Sequence, residues 1–227
     1  MTSKRGPHQT KVAPIELKSG ARLDQEQFHR LYERMPADYR AELIGGVVHE
    51  PSPVSYSHGK THVLMTKILG AYEDETPGIE LLDNTTVILG DKDEVQPDLL
   101  LRVQPQFGGL SGDRGDGYIS GPPELVIEIA LTSRSIDLGT KRKRYAKGGV
   151  AEYLVVCLQP AQIRWFDLAN DTEFAAKDGD VIKSRIFPGL WLSATSILQE
   201  GYYRSAIKLL KQGLKSDEHA NFVARMK

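Results

Sequence analysis

The order of apolar and polar positions divides the chain into helical and extended stretches. Phe28, Leu31 and Tyr32 recur at helical spacing behind Asp24, a residue suited to capping, and predict a first helix. In "AELIGGVVHE" two short apolar segments flank Gly45-Gly46, which predicts a hairpin with a tight primed turn. Val63, Leu64, Ile68 and Tyr72 mark a helix over about 57–74, ended by Pro77-Gly78. "IELL", "TTVIL" and "VQPDLLLRV" are short, β-rich and turn-bounded, and read as strands. Residues 104–123 carry six glycines and three prolines and predict a long surface loop. Leu125–Ala130 is apolar on both faces apart from Glu128, the pattern of a central strand covered on both sides. A helix over 135–147 follows and ends at Gly148-Gly149. "AEYLVVCL", "QIRWFDL" and "DVIKSRIF" predict three more strands. The amphipathic "YYRSAIKLLKQGL" and a last helix, capped by Ser216 and running to about Met226, close the chain.

This order predicts an α/β or mixed α+β domain built on one central sheet. The strand–helix–strand unit over 124–157 is long enough for a right-handed parallel crossover. Three regions follow: a polar, mobile tail over 1–21, the domain over 22–195, and a helical extension over 196–227. The amphipathic terminal helices fit either a homodimer contact or a lid on the core, and the pattern does not choose.

Composition narrows the function classes. The 227 residues, 40% of them hydrophobic, suffice for one globular domain with a sizeable core. A net charge of −1 argues against a strongly electrostatic nucleic-acid binder. The charge is uneven, however: Arg134, Lys141, Arg142, Lys143, Arg144 and Lys147 face one acid, Asp137, for a local +6 − 1 = +5. That run is either a solvated helix face or a set of phosphate contacts. The single cysteine, Cys157, lies in an apolar run and allows no disulfide framework, which fits a reducing compartment. No apolar run approaches the ~20 residues of a membrane span. No apolar segment follows the first lysine and arginine, so no secretory signal is expected, and the expected location is the cytoplasm.

Candidate chemistry centres on carboxylates in apolar surroundings, because a buried carboxylate needs a partner, hydrogen bonds or a metal. Glu128 sits among Val126, Ile127 and Ile129. Alternation also allows it to face solvent on a half-exposed strand. Asp98 follows Pro97, and Pro-Asp is also a common turn dipeptide. Glu42 opens the first hairpin strand. Two acids on neighbouring strands would suit Mg²⁺ or Mn²⁺, which keep several waters. Asp137, Lys141 and Tyr145 stack on one helix face at i, i+4 and i+8. Lys141 either makes a plain surface ion pair with Asp137 or reaches back over the sheet towards Glu128. Tyr145, Trp165 and Trp191 read as packing residues. His58 and His62, at i, i+4, form a candidate zinc pair without a visible third ligand. The glycine-rich loop lacks the lysine and spacing of a phosphate loop.

Pro97-Asp98, Glu128 in "IEI" and a following lysine resemble the PD-(D/E)XK nuclease superfamily. The phrases "ELIGGVVHEPSP", "VQPDLLL", "PPELVIEIALTSRSIDLGTKRKRYAKGGVAEYLVV" and "PGLWL" resemble the Uma-type putative restriction endonuclease family of bacteria, from about Tyr39 to Leu192. The bare acid–acid–lysine pattern is weakly specific, and the phrase over 122–156 strongly so. The resemblance implies a restriction-endonuclease-like core, a mixed sheet flanked by helices, and Mg²⁺-dependent hydrolysis of DNA. It implies Asp98 and Glu128 as metal ligands, Lys141 as the catalytic lysine, and supporting places for Glu42, His58 and Gln96. A strand-edge amide is the plainer reading of Gln96. The chain departs from the superfamily two residues after Glu128, where Ala130 stands in place of lysine, and the family's lysine matches Lys141 on the next helix. The competing expectation is a nuclease-fold binding or assembly module without the rate.

Overall fold

The structure, a computed structural model, describes residues 17–176 and 179–226. The elements in chain order are α1 (Gln25–Tyr32), β1 (Glu42–Ile44), β2 (Val47–His49), α2 (Tyr56–Asp74), β3 (Ile79–Asp83), β4 (Val87–Gly90), β5 (Asp93–Val95) and β6 (Leu99–Val103). Then come β7 (Gly112–Asp113), β8 (Ile119–Ser120), β9 (Leu125–Ala130), α3 (Arg134–Ile136), α4 (Arg142–Gly148), β10 (Glu152–Leu158), β11 (Ala161–Asp167) and β12 (Thr172–Glu173). β13 (Val181–Lys183), β14 (Trp191–Ser193), α5 (Ala194–Leu198), α6 (Tyr203–Gly213) and α7 (Asp217–Arg225) complete the chain.

The strands form two six-stranded sheets and a two-stranded ribbon, not the single sheet the pattern predicts. The central sheet runs β12-β11-β10-β9-β6-β3, and the second runs β2-β1-β5-β4-β8-β7. β9 and β10 are parallel, joined by the expected helical crossover, whereas β6 lies antiparallel to β9. The stretch predicted as one strand, "VQPDLLLRV", is divided between the sheets: β5 ends at Val95 in the second and β6 begins at Leu99 in the first. Pro97 has no N–H to give a central ladder, so the strand breaks there. The predicted strand "DVIKSRIF" is strand only over Val181–Lys183 and pairs with β14 outside both large sheets. The 104–123 loop holds a short 3₁₀ turn, Pro105–Phe107, and the two small strands β7 and β8, which extend the second sheet.

Alternation along β9 explains its full burial. Leu125, Ile127 and Ile129 pack with Met65, Ile68, Leu69 and Tyr72 of α2, and with Ala206 and Leu210 of α6. Val126 and Ala130 face the other way, with Tyr145 of the crossover helix and with Ile44, Val87, Val95 and Ile119 of the second sheet. Each such fully buried aliphatic side chain contributes about 1.5–3 kcal/mol. The central sheet is thus covered by helices on one face, and by the crossover helix and second sheet on the other. Glu128 shares the second face, so it points inward and not to solvent.

Local signals hold at the caps. Asp24 forms a capping box with Gln27 on α1, and Ser216 caps α7 through His219 N–H; α2 adds a cap the pattern did not name, Ser55 accepting from His58 N–H. Gly45 and Gly46 both take positive φ (61° and 80°), as a primed hairpin turn requires. The terminal helices lie on the core: Ile197, Ala206, Leu210 and Met226 join the cluster around β9. α6 comes so close to the ribbon turn that a Cβ on Gly213 would meet the Gly189 carbonyl at 2.1 Å. The predicted tail over 1–21 falls mostly outside the described residues. From Leu17 on, the chain is fastened to the hairpin, with Gly20 N–H donating to the Val48 carbonyl (2.8 Å) and Arg22 bridging Val47.

A buried carboxylate pins the ribbon segment to β10. Glu152 Oε1 accepts from the N–H groups of Arg185 (2.7 Å) and Ile186 (3.1 Å), and its Oε2 accepts from Trp165 Nε1 (3.0 Å) and Ser184 Oγ (2.8 Å). With four donors converging, Glu152→Gln would set an NH₂ against donors. Chemical denaturation should show a loss of about 2–4 kcal/mol, and an unchanged midpoint would refute this role.

His219 closes α7 onto α2: its Nδ1–H donates to the Leu214 carbonyl (3.0 Å), and Nε2 lies 3.0 Å from Thr76 Oγ1. Burial lowers its pKa below the ordinary 6.5, so the unfolded chain takes up the proton first. Its contribution is therefore full above 6.5 and declines as pH falls below that value. The gap in melting temperature between the wild type and His219→Gln should narrow as pH drops through this range. A constant or widening gap would contradict the assignment.

Candidate active site

The break at Pro97 sets Asp98 at the entrance of β6. The ladder pairs Leu99 with Ile127, so its next step brings Asp98 opposite Glu128. Asp98 Oδ2 accepts from the Ile129 N–H at 2.6 Å, which fixes the carboxylate against β9. Two acids thus meet at one end of adjacent central strands.

Lys141 comes to them from the crossover. The predicted helix runs over 134–148 but is not uniformly α-helical: Asp137–Lys141 form a π turn between α3 and α4. Such a turn holds one extra residue and re-aims the side chains that follow. The Lys141 ammonium donates to Glu128 Oε1 and contacts Glu42 Oε2, both at 2.9 Å, with Asp137 Oδ1 at 4.0 Å. Its side chain is only 7% exposed, so the surface-pair reading is excluded. Tyr145 OH donates to the same Glu128 oxygen at 2.8 Å. Tyr153 OH donates to the Asp137 carbonyl at 3.2 Å. The Gln96 N–H holds Glu42 Oε1 at 2.8 Å.

The electrostatics follow from burial and crowding. Desolvation raises the Glu128 pKa well above the usual carboxylate value. The Lys141 charge opposes this, while Asp137, Asp98 and Glu42 reinforce it. Burial likewise raises Asp137, again against Lys141. For Lys141 burial alone would favour the neutral amine, but Glu128, Glu42 and Asp137 together outweigh it and raise the pKa. The lysine is therefore a fixed ammonium rather than a proton acceptor. Burial keeps the Tyr145 phenol neutral and able to donate.

The remaining candidates sort by contact. His58 Nε2 lies 3.2 Å from Asp98 Oδ1 and 3.3 Å from Oδ2, a bond that raises the imidazole pKa against the opposing effect of burial. Its Nδ1 is buried without a partner among the described residues. His62 stacks on His58, its Nε2 3.1 Å from the Asp98 carbonyl and 3.0 Å from Asp83 Oδ1. Among the described residues no group of three or more His, Cys, Asp or Glu has the geometry to hold a metal ion. The Gln96 side-chain amide donates to Tyr32 OH (3.0 Å) and Thr86 Oγ1 (2.9 Å), so only its backbone serves the cluster.

The basic run is largely consumed inside the fold. Lys141 is buried, Arg144 pairs with Asp93, and Arg142 pairs with Asp171 and covers the Phe166 ring. Only Lys143 and Lys147 of the six stand fully exposed. Sequence reasoning missed the polar role of Tyr145. The signal was its place in the i, i+4, i+8 stack with Asp137 and Lys141.

A mixed sheet flanked by helices, with acids gathered at the ends of central strands, is a nuclease-type fold. It matches the crystal structure of a putative nuclease belonging to DUF820 from Anabaena variabilis with a TM-score of 0.57 at 12% identity, over 80% of this chain and 97% of that one. The profile of the Uma2 family, putative restriction endonucleases, matches residues 25–195, and the chain belongs to that family. Curated proteins yield no match. No helix among the described residues is long and apolar enough to cross a membrane.

Tyr145→Phe removes one of the two side-chain donors on Glu128 Oε1 without changing the packed ring. Denaturant unfolding should show a loss of about 1–3 kcal/mol. A variant as stable as the wild type would show that this bond does not hold the carboxylate.

Proposed function

We propose that the chain is a metal-dependent endonuclease that hydrolyses phosphodiester bonds in DNA. The observation that carries this reading is the cluster itself. Glu42, Asp98, Glu128 and Asp137 act on one another electrostatically around a single ammonium, so acid exceeds base in a largely buried site. A divalent cation would relieve that excess, and oxygen donors suit Mg²⁺ or Mn²⁺. The donor set fits: Glu128 Oε2 accepts no hydrogen bond from a described residue, and Asp98 Oδ1 has only the His58 contact. Asp98 and Glu128 would hold the ion, with water completing its shell, a mode that needs no third protein ligand.

A bound cation supplies Lewis-acid polarisation of the phosphodiester and a more acidic water. The chain's own groups do the positioning. The Ile129 N–H fixes Asp98, while Tyr145 and Lys141 fix Glu128. Lys141 sets a permanent positive charge where charge builds on the phosphoryl oxygens, and such fixed charges are among the largest contributions to rate. His58, with its pKa raised by Asp98, is a proton carrier at the edge of the site.

Purified protein with Mg²⁺ or Mn²⁺ should nick supercoiled plasmid, and chelation should stop it. Asp98→Asn and Glu128→Gln should each lower the rate by about 100-fold or more. If wild type and both variants behave alike on duplex and single-stranded DNA, the chain is instead a nuclease-fold binding or assembly module. The absence of a lysine at Ala130 favours that second reading.

A further inference from the structure

One side of α2 lines a groove against α5 and the α5–α6 link. Tyr56, Lys60 and Lys67 recur along that side, and the link between α5 and α6, with Tyr203, forms the opposite wall. Leu131 and Leu158, at the C-terminal ends of β9 and β10, also line the groove, whose volume is about 1020 Å³. Its link to the site is the first turn of α2, where the lining residues Ser57 and Gly59 flank His58, whose imidazole rests on Asp98. Tyr56 is 84% exposed and Tyr203 42%, with Lys67 Nζ 5.4 Å from the Tyr203 ring centre. An ion pair between Lys60 and Glu200 spans the groove.

α6 adds a second, independent feature. Arg204, Lys208 and Lys211 of α6, with Lys215 just beyond its end, repeat at i, i+4, i+7 and i+11, all exposed, along a second groove of their own, and no acid lies between Tyr203 and Lys215. No acidic partner for any of the four is present among the described residues. Three of the six basic residues of the crossover, Lys141, Arg142 and Arg144, are paired with acids, whereas this stripe is a concentration of unpaired positive charge in a chain of net −1. The opposite face of α6, with Ala206, Leu210 and Gly213, is buried in the protein, so the helix has no apolar side free to enter a lipid surface.

We propose that the groove between α2 and the α5–α6 link seats unpaired bases of single-stranded DNA on Tyr56 and Tyr203, with the backbone running past Tyr203 onto the neighbouring cationic stripe of α6, and that its His58 end directs the strand towards Asp98. The last step rests on the nuclease reading, whereas the binding surface does not. A duplex keeps its base faces stacked inside and would use only the cations. An unpaired strand offers flat apolar faces to exposed tyrosines and regularly spaced phosphates to a basic stripe. An acidic peptide would match the cations but leave Tyr56 and Tyr203 without partners. A phosphate in the groove replaces Glu200 as the partner of Lys60.

The test is fluorescence anisotropy with the full chain, a labelled oligothymidylate, a duplex of the same length and a polyglutamate competitor, all in chelator so that nothing is cut. The single strand should bind more tightly than the duplex. Tyr56→Ala and Tyr203→Ala should each weaken single-strand binding by about 5- to 100-fold and leave duplex binding unchanged, with Tyr56→Phe restoring it. Reversing Lys208 and Lys211 to Glu should weaken it by more than about 10-fold and flatten its salt dependence. Lys143→Glu on the crossover helix should have little effect. Equal affinity for duplex and single strand, tyrosine variants that bind like wild type, full displacement by polyglutamate, or equal damage from Lys143→Glu would each overturn the proposal. Plasmid nicking separates the two readings. Binding that meets these expectations without cleavage sinks only the nuclease reading. Nicking together with unaffected tyrosine variants sinks only the groove.

Discussion

The Lys141 ammonium, enclosed between Glu42 and Glu128, is the constraint on which the site depends. It joins three parts of the fold: the hairpin of the second sheet, the central strand β9 and the crossover helix. Burying these charges is unfavourable in itself, and the pair need not add net stability. Its effect is on arrangement. Once the ammonium is buried, each carboxylate must face it, the helix must deliver it at the right turn, and further donors must complete the coordination. The π turn at Asp137–Lys141, Tyr145 OH on Glu128 and Gln96 N–H on Glu42 are those consequences.

Much of this was legible because the chemistry breaks the apolar pattern. A carboxylate in a strand covered on both faces marks Glu128, and helical spacing groups Asp137, Lys141 and Tyr145 before any coordinates are known. The caps at Asp24 and Ser216, and the Gly45-Gly46 turn, formed where their local chemistry predicts. The division into two sheets was not legible, because apolar runs report burial but not the partner strand. Pro97 carried the one available hint, since a proline in a ladder signals a break. Nor does a residue count reveal that Arg142 and Arg144 answer acids 29 and 51 positions away, which turns a basic run into internal pairing. The role of Tyr145 was hidden because an aromatic on a buried helix face reads first as packing.

The same physics relates the site to the surface around it. The cluster holds more acid than base and would repel a phosphodiester unless a cation intervened. On the proposed nuclease reading, positive charge for gathering a nucleic acid would have to lie elsewhere, and the unpaired cations Arg204, Lys208 and Lys211 of α6, with Lys215 beyond it, are one such array. The alanine at position 130 leaves the strand without a lysine, and the helical Lys141 delivers the ammonium to Glu128 from the opposite layer. A charge brought by a packed helix is fixed more firmly than one on a loop, because moving it would disturb the packing of the crossover against the central sheet.

The central claim is that Lys141 and Glu128 form one coupled, buried unit. A double-mutant cycle in denaturant unfolding, with Lys141→Met, Glu128→Leu and the combination, measures this directly. The account predicts that each single change loses about 3–5 kcal/mol by stranding the other charge. The double variant should lose less than the sum, with a coupling of about 2 kcal/mol or more. Additive losses would show that the two side chains act independently, and would contradict the account.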